Sequence, residues 1–226
     1  MQKPNSIAIL LFNGSLPLDF VGPHHVFTHM KRYAQPDLQI RTIGTESPVE
    51  TSGHLRIIPD EVLTSETKIP QGDGLLIIPG GKGARDILEN GNPLVEEYIR
   101  KFHEAGNMIA TVCTGALVAA KAGILKDCRA TTHGKFLHLL EGHVQEVVRL
   151  GRNQSYVEND SQRIITSGGV MKGLPMVLDM AQRFSGPEVR RRIQDSMKYP
   201  IVAQMLDTDS AHGLMKTTRP KRRLPN

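Results

Sequence analysis

Short apolar runs alternate with longer amphipathic stretches along the chain, and this alternation restricts its fold more than any other feature. The apolar runs are leucine-rich or β-branched and lack a polar alternation. Such runs are typical of parallel strands that are covered by helices on both faces. The predicted strands are Ile7–Phe12, Leu38–Ile43, Gly74–Ile78, Met108–Val112 and Arg163–Thr166.

The amphipathic stretches between the strands are predicted to be helices. Pro93 and Pro187 each suit the first turn of a helix, where no backbone N–H is needed. The stretch VETSGHLRIIPD is predicted to be an inserted hairpin. The pattern therefore predicts a layered α/β domain with a mostly parallel central sheet. The predicted helices are Pro23–Arg32, Pro93–Ala105, Thr114–Ala122, Lys135–Leu140, Met171–Phe184 and Pro187–Met197.

The positive charge of the chain is concentrated at its C-terminal end. The net charge is +5, and five basic residues with no acid lie in the last eleven positions, KTTRPKRRLPN. The other 23 bases balance the 23 acids. Positions 1–204 are therefore predicted to form one domain, and 205–226 a flexible basic tail. Because the tail has no aromatic residue for base stacking, nucleic acid is not expected as a partner.

Composition also argues against several kinds of site. Two cysteines outside any CxxC pair predict neither a disulfide scaffold nor a cysteine-based zinc site, and Cys128 is expected to serve packing. His25 and His29 lie four positions apart without a third ligand, so no metal is expected. No apolar run is long enough to cross a membrane, and no signal peptide is recognisable, so a cytoplasmic protein is predicted.

Three polar segments follow predicted strands. The segment GSLPLDFVGP carries Asp19, IIPGGKGAR carries Gly80 and Gly81, and VCTG carries Cys113. Because loops at the carboxyl ends of parallel strands converge on one edge of a sheet, these segments are expected to meet in one cleft.

Each of these residues has a predicted chemical role. A cysteine at a strand-to-helix turn lies at a helix N-terminus, which stabilises a thiolate. The N–H of Thr114 and one from Gly80 or Gly81 are predicted to form an anion hole. Asp19 is the predicted acid/base partner, with its pKa raised by the neighbouring thiol.

Several segments resemble the ThiJ/PfpI superfamily: LDFVGPHHVF, LLIIPGGKGAR, TVCTGALVAAKAGILKDCRATTH and ITSGGVMKGLPMVLDMAQRF. The resemblance runs from about Ser6 to Phe184. It implies a flavodoxin-like three-layer sandwich of the class I glutamine amidotransferase type, and a homodimer. The DFxGPxxVF and CTGALVxAxAGxLxxxxATTH patterns are most similar to isonitrile hydratases and to the amidase-like sensor domains of AraC-type regulators.

The resemblance implies that Cys113 is the nucleophile, Asp19 the acid/base carboxylate, and Gly81 an oxyanion-hole donor beside Thr114. The implied activity is cofactor-free hydration of a small isonitrile to an N-substituted formamide, a lyase reaction. His133, which ends the ATTH segment, is predicted either to line the cleft or to hold a backbone carbonyl.

Some positions depart from the family pattern. Thr114 follows Cys113 where PfpI-type peptidases place a histidine, which argues against a protease. Gly134 stands where a tryptophan is usual, and SGG at 167–169 replaces the commoner SAG. The alternatives are a ligand-sensing domain, a stress-response protein with an oxidation-sensitive cysteine, and a glyoxalase-like enzyme. About forty residues follow Phe184, too few for the DNA-binding module of an AraC-type regulator.

Overall fold

Strands and helices alternate along the chain in the computed structural model, which describes residues 2–198. The strands are β1 (Ser6–Leu11), β2 (Gln39–Gly44), β3 (Val49–Glu50), β4 (Arg56–Ile57), β5 (Glu61–Val62), β6 (Gly74–Ile78), β7 (Met108–Thr111), β8 (Arg129–Ala130), β9 (Glu146–Val147), β10 (Tyr156–Asn159) and β11 (Ile164–Ser167). The helices are α1 (Pro17–Ala34), α2 (Lys82–Asn90), α3 (Pro93–Glu104), α4 (Gly115–Lys121), α5 (Val170–Ser185) and α6 (Pro187–Met197). Short 3₁₀ helices span Gly134–Leu140 and Asp160–Gln162.

A seven-stranded sheet forms the centre, in the order β10-β11-β7-β6-β1-β2-β5. All neighbouring strands run parallel except β10, which pairs antiparallel with β11 at one edge. The five predicted strands correspond to β1, β2, β6, β7 and β11, which confirms the mostly parallel sheet.

The two faces of the sheet carry separate hydrophobic cores, because successive side chains of a strand point in opposite directions. In β1, Ile7 and Ile9 contribute to the core against α1, α5 and α6. Ala8 and Leu10 contribute to the core against α2, α3 and α4. The predicted three-layer sandwich is therefore confirmed.

The inserted hairpin is also confirmed, since β3 and β4 pair antiparallel. The start of α1 differs from the prediction. The helix begins at Pro17 rather than Pro23, so Asp19 lies in its first turn and not in a loop. Pro17 occupies the first helical position, where a proline is favourable, and Pro23 lies inside the helix. The predicted tail, 205–226, lies outside the described residues.

Among the helices of residues 2–198, none is both long and apolar enough to span a bilayer.

Replacement of Asn92 by alanine is expected to lower the free energy of unfolding by about 1 kcal/mol. Asn92 caps α3, because its side chain accepts a hydrogen bond from the Val95 N–H at 3.2 Å. The Glu96 carboxylate in turn accepts a hydrogen bond from the Asn92 N–H at 2.8 Å. Urea unfolding measures the change. Asn153→Ala, at an exposed position, is the matched control, and equal losses in the two variants would contradict the capping role.

Candidate active site

Cys113 occupies a strained turn between β7 and α4. Its φ of 56° lies in the left-handed region, which a cysteine adopts only when its surroundings enforce it. The Cys113 N–H donates to the Gly168 carbonyl at 2.8 Å, and the Thr132 hydroxyl donates to the Cys113 carbonyl at 2.8 Å. The side chain is almost fully buried. Both peptide groups of the turn are therefore anchored to other segments of the chain.

Asp19 approaches the turn from the first turn of α1, where it is completely buried. Its Oδ2 accepts a hydrogen bond from the Gly80 N–H at 3.0 Å. Its Oδ1 is buried without a hydrogen-bond partner of ordinary geometry. One oxygen of the carboxylate is thus held by the backbone, and the other remains available for a proton.

Burial and mutual interaction shift both groups of the Asp19–Cys113 pair. Burial raises the pKa of Asp19 to about 6, although the Gly80 N–H and the Cys113 thiol, both donors to the carboxylate, oppose the shift. Burial raises the pKa of Cys113 to about 12, and the negative charge of Asp19 adds to this effect. Near pH 7 the pair therefore holds one proton, and that proton resides on sulfur.

The helix N-terminus favours a Cys113 thiolate as predicted, but it does not bring the pKa of Cys113 below its ordinary value. Thr114 donates toward the sulfur and lowers the Cys113 pKa, but burial and the Asp19 charge outweigh it. Helix α4 has only seven residues, so fewer peptide dipoles act on the sulfur than in a long helix. A raised pKa of Asp19 was predicted, but its main cause is burial rather than the thiol.

The two glycine N–H groups that were predicted to form an anion hole already donate to acceptors within the protein. Both glycines lie beside the Asp19–Cys113 pair, as does Thr114. The Gly80 N–H is held by Asp19, and the Gly81 N–H donates to the Thr114 hydroxyl at 2.8 Å. The same hydroxyl donates to the Gly81 carbonyl at 3.1 Å. The Thr114 N–H is therefore the backbone donor directed at the sulfur.

His133 caps the adjacent 3₁₀ helix, so its ring holds a backbone N–H and not the predicted backbone carbonyl. Its Nδ1 accepts a hydrogen bond from the Lys135 N–H at 3.2 Å. Its ring also packs over Gly169, where an added Cβ would lie 2.9 Å from the ring. No hydrogen bond joins His133 to Cys113 in the described part of the chain.

Two residues that hold Cys113 were not predicted individually. Thr132 and Gly168 lie in the ATTH and SGG segments, far from Cys113 in sequence. Only the resemblance of these segments to a family pointed to them, because a hydrogen bond to a distant backbone group leaves no local pattern. They fix the turn that carries the thiol.

The remaining candidate ligands do not assemble into a metal site. Within residues 2–198, no three of the histidine, cysteine and acidic side chains lie close enough to hold a metal ion. The rings of His25 and His29 contact each other edge to face at 4.5 Å on α1. Cys128 is fully buried, with its thiol 3.8 Å from the Ile124 carbonyl, which agrees with the predicted packing role.

Ionisation of Asp19 is expected to destabilise the fold between about pH 4 and pH 6. The folded pKa is about 6, against an ordinary value of 3.8. In this window the folded chain binds more protons than the unfolded chain, so the free energy of unfolding falls as the pH rises. Relative to Asp19→Asn, the free energy of unfolding of the wild type should fall by about 2–3 kcal/mol across this window. Urea unfolding of both proteins across this window measures the difference, and a constant difference would exclude the shift.

Comparison with known proteins reveals sequence relatives over most of the chain. The profile of the DJ-1/PfpI family matches residues 5–183. Isonitrile hydratase of Pseudomonas putida is 29% identical over 196 residues, which cover 85% of this chain and 78% of that protein. Glutathione-independent glyoxalase DJR-1.2 of Caenorhabditis elegans is 28% identical over 155 residues, covering 67% and 76%.

The fold is shared with solved structures. A ThiJ/PfpI family protein from Pseudomonas syringae superimposes with a TM-score of 0.74 at 23% identity, covering 88% of this chain and 77% of that one. This agreement confirms the flavodoxin-like architecture.

Proposed function

The chain belongs to the DJ-1/PfpI family, and we propose that it is a cysteine-dependent hydratase that converts a small isonitrile to an N-substituted formamide. Cys113 is the nucleophile and Asp19 moves the proton. The family contains enzymes of different chemistry, isonitrile hydratase and a glyoxalase among them. The proposal therefore depends on the site as well as on the family.

The observation that carries the proposal is the buried Asp19–Cys113 pair. A thiol with a raised pKa is a poor nucleophile unless a base removes its proton as it attacks. Asp19 supplies that base, and its own pKa of about 6 keeps it ionised at neutral pH yet able to return the proton. A nucleophile and one proton carrier are the groups that addition of a thiol to an isonitrile requires.

The first half of the reaction forms a covalent adduct. The Cys113 proton moves to the Asp19 carboxylate while sulfur bonds to the terminal carbon of the isonitrile. Asp19 then delivers that proton to the same carbon, which gives a thioimidate, R–N=CH–S–Cys113. The Thr114 N–H, which is directed at the sulfur, stabilises the negative charge that develops on sulfur as its proton moves to Asp19.

The second half releases the product. Asp19, again a carboxylate, removes a proton from water as the water oxygen attacks the thioimidate carbon. Asp19 returns that proton to the imidate nitrogen, then takes the hydroxyl proton of the adduct and passes it to sulfur as the carbon–sulfur bond breaks, so the formamide R–NH–CHO leaves and Cys113 is a thiol again. One water is consumed in each cycle, and no electrons are exchanged with a cofactor.

Turnover of a chromophoric aryl isonitrile tests the proposal. The wild type should form the corresponding formamide, whereas Cys113→Ala should form none above the uncatalysed rate. Cys128→Ala is the matched control, because it removes the second thiol, which contacts the Ile124 carbonyl and not Asp19. An inactive wild type, or equal activity in Cys113→Ala, would refute the hydratase function.

A glyoxalase-like activity is the second candidate, supported by the likeness to the Caenorhabditis elegans glyoxalase. The thiol would add to the aldehyde of methylglyoxal, the carboxylate would relocate the proton of that carbon to the neighbouring carbon to give a lactoyl thioester, and water would hydrolyse the thioester to lactate and the free thiol. Lactate formation from methylglyoxal, measured with the same variants, distinguishes the two activities.

We further propose that two copies of the chain associate through a surface beside the site. Leu18 and Val21, on either side of Asp19 in α1, are each 47% exposed, and Met171 near the start of α5 is 62% exposed. Helices α1 and α5 pack side by side, with Gly22 against Leu174, so their first turns lie together. Together these side chains form an apolar face that a second copy would cover.

Val21→Glu is expected to convert the proposed dimer to a monomer, because the charge would be buried without a partner at the centre of the apolar face. Sedimentation velocity measures the mass of each species. Val62→Glu, at an exposed valine on β5, is the matched control. A monomeric wild type would contradict the proposed association.

A further inference from the structure

A buried threonine hydroxyl holds the carbonyl of the nucleophilic residue. Thr132 is 2% exposed, and its hydroxyl donates to the Cys113 carbonyl at 2.8 Å. In a regular helix the Leu117 N–H could reach this carbonyl, but here it donates to the Thr114 carbonyl at 3.0 Å. Thr132 therefore supplies a hydrogen bond that α4 does not.

The Cys113 carbonyl and the Thr114 N–H belong to one peptide group. A peptide group is planar, and in its usual trans form the carbonyl and the N–H point in opposite directions. A hydrogen bond that fixes the carbonyl therefore also fixes the direction of the N–H. This N–H is the backbone donor that is directed at the sulfur.

The left-handed conformation of Cys113 needs such a restraint. A φ of 56° is costly for a residue that carries a side chain. Rotation about the Cα–C bond of Cys113 would turn the peptide plane and move the Thr114 N–H away from the sulfur. The Thr132 hydroxyl opposes this rotation, because the rotation would break a buried hydrogen bond and leave the carbonyl without a donor.

The segment that presents Thr132 is itself anchored to the central sheet. The Thr131 N–H donates at 3.0 Å to the hydroxyl of Thr166, which is fully buried in β11. A hydrogen bond to the carbonyl also polarises the peptide group, which makes its N–H a stronger donor. Thr132 therefore acts on the sulfur through one peptide group, by orienting it and by polarising it.

We propose that Thr132 is a positioning residue for the proton transfer from Cys113 to Asp19. Its hydroxyl keeps the Thr114 N–H directed at the sulfur while negative charge develops there. This inference deepens the proposed function, and its kinetic part rests on that function. Its effect on the reactivity of the thiol does not depend on the substrate.

Two substitutions of Thr132 separate the hydroxyl from the volume of the side chain. Thr132→Val keeps the shape but removes the donor, whereas Thr132→Ser keeps the donor but removes a methyl group. The rate of iodoacetamide labelling of Cys113, resolved by peptide mass spectrometry, follows the thiolate fraction at neutral pH. This rate should fall about three- to tenfold in Thr132→Val and change by less than about twofold in Thr132→Ser. The reverse order, with serine slower than valine, would indicate a packing role and overturn the proposal.

The neighbouring threonine offers a matched control. Thr131→Val makes the same substitution at a buried position whose hydroxyl contacts the Thr132 carbonyl at 3.5 Å and not Cys113. The charge of Asp19, which also acts on the thiol, is the same in all these variants. An equal fall in Thr131→Val and Thr132→Val would overturn the proposal. If Thr132→Val does not fold, Thr132→Ala takes its place, and equal labelling of the alanine and serine variants would overturn the proposal as well.

Hydration kinetics complete the test. With an aryl isonitrile, kcat should fall in Thr132→Val while KM stays close to that of the wild type, because the N–H acts on charge that develops in the transition state. A raised KM at unchanged kcat would overturn the positioning role. If the labelling rates follow the expected order but the wild type hydrates no isonitrile, the action of Thr132 on the sulfur stands and the hydratase function fails.

Discussion

Replacement of Asp19 by asparagine is expected to abolish hydration while making the Cys113 thiol more reactive toward alkylation. Hydration should fall by about 10²–10⁴-fold, because asparagine cannot accept and return the thiol proton. Alkylation proceeds through the free thiolate and needs no proton returned to its product, so it should accelerate, because removal of the buried negative charge lowers the pKa of Cys113. A decrease of one unit raises the thiolate fraction about tenfold at neutral pH.

These opposite changes separate a proton-transfer role from a structural one. A variant that merely distorted the site would lose both reactivities. Asparagine retains an oxygen that can accept the Gly80 N–H, so the first turn of α1 keeps its anchor. Rates of formamide formation and of iodoacetamide labelling, measured on one preparation, give the comparison. Asp37→Asn, at an exposed position, is the control, and a parallel loss of both rates in Asp19→Asn would contradict the assignment.

Replacement of Gly80 by alanine is expected to reduce turnover by about 10²-fold or more. An added Cβ would lie 2.5 Å from the Thr114 nitrogen and 2.9 Å from Oδ2 of Asp19. Both distances are shorter than a carbon can tolerate, and the atoms involved belong to the turn and to the proton carrier. The substitution would therefore push the nucleophile and the carboxylate apart.

The effect of Gly80→Ala should be larger on activity than on stability. Overpacking of this kind costs about 1–3 kcal/mol, which the thermal midpoint would record. Gly151→Ala is the matched control, because a Cβ there meets no atom within 4 Å. Full activity in Gly80→Ala would show that the spacing of Asp19 and Thr114 does not matter for turnover.

The sequence predicted the central sheet well because the strands are buried on both faces. A run such as LLII in β6 has no polar alternation, which is typical of a central strand covered by helices on both faces. The edge strands β5 and β10 were not predicted. Strand β5 has two residues, and β10 reads YVEN, a short run that contains two polar residues. Pairing at an edge depends on the neighbouring strand more than on local composition.

The start of α1 was mispredicted because two prolines compete for it. Pro23 suits a first turn, and so does Pro17, and local propensity does not distinguish them. The structure uses Pro17, which brings Asp19 onto the helix and under Gly80. That six-residue difference between the two prolines decides whether the carboxylate is fixed by the helix or lies in a loop.

The order of the strands predicts that the site residues meet, but it does not predict their pKa values or hydrogen bonds. These residues are Asp19, Gly80, Gly81, Thr114 and Cys113. The rule that loops converge at the carboxyl ends of parallel strands needs only the topology. The pKa of Cys113, in contrast, depends on burial and on the distance to Asp19, which sequence does not encode locally. The same holds for the glycine N–H groups, whose acceptors are Asp19 and Thr114.

The most direct test of covalent catalysis by Cys113 is mass spectrometry of the protein quenched during turnover of an aryl isonitrile. The peptide containing Cys113 should gain the mass of one isonitrile, the adduct should decay as formamide appears, and Cys113→Ala should show neither. Formamide formation without any adduct on Cys113, and at an undiminished rate in Cys113→Ala, would show that Cys113 is not the nucleophile.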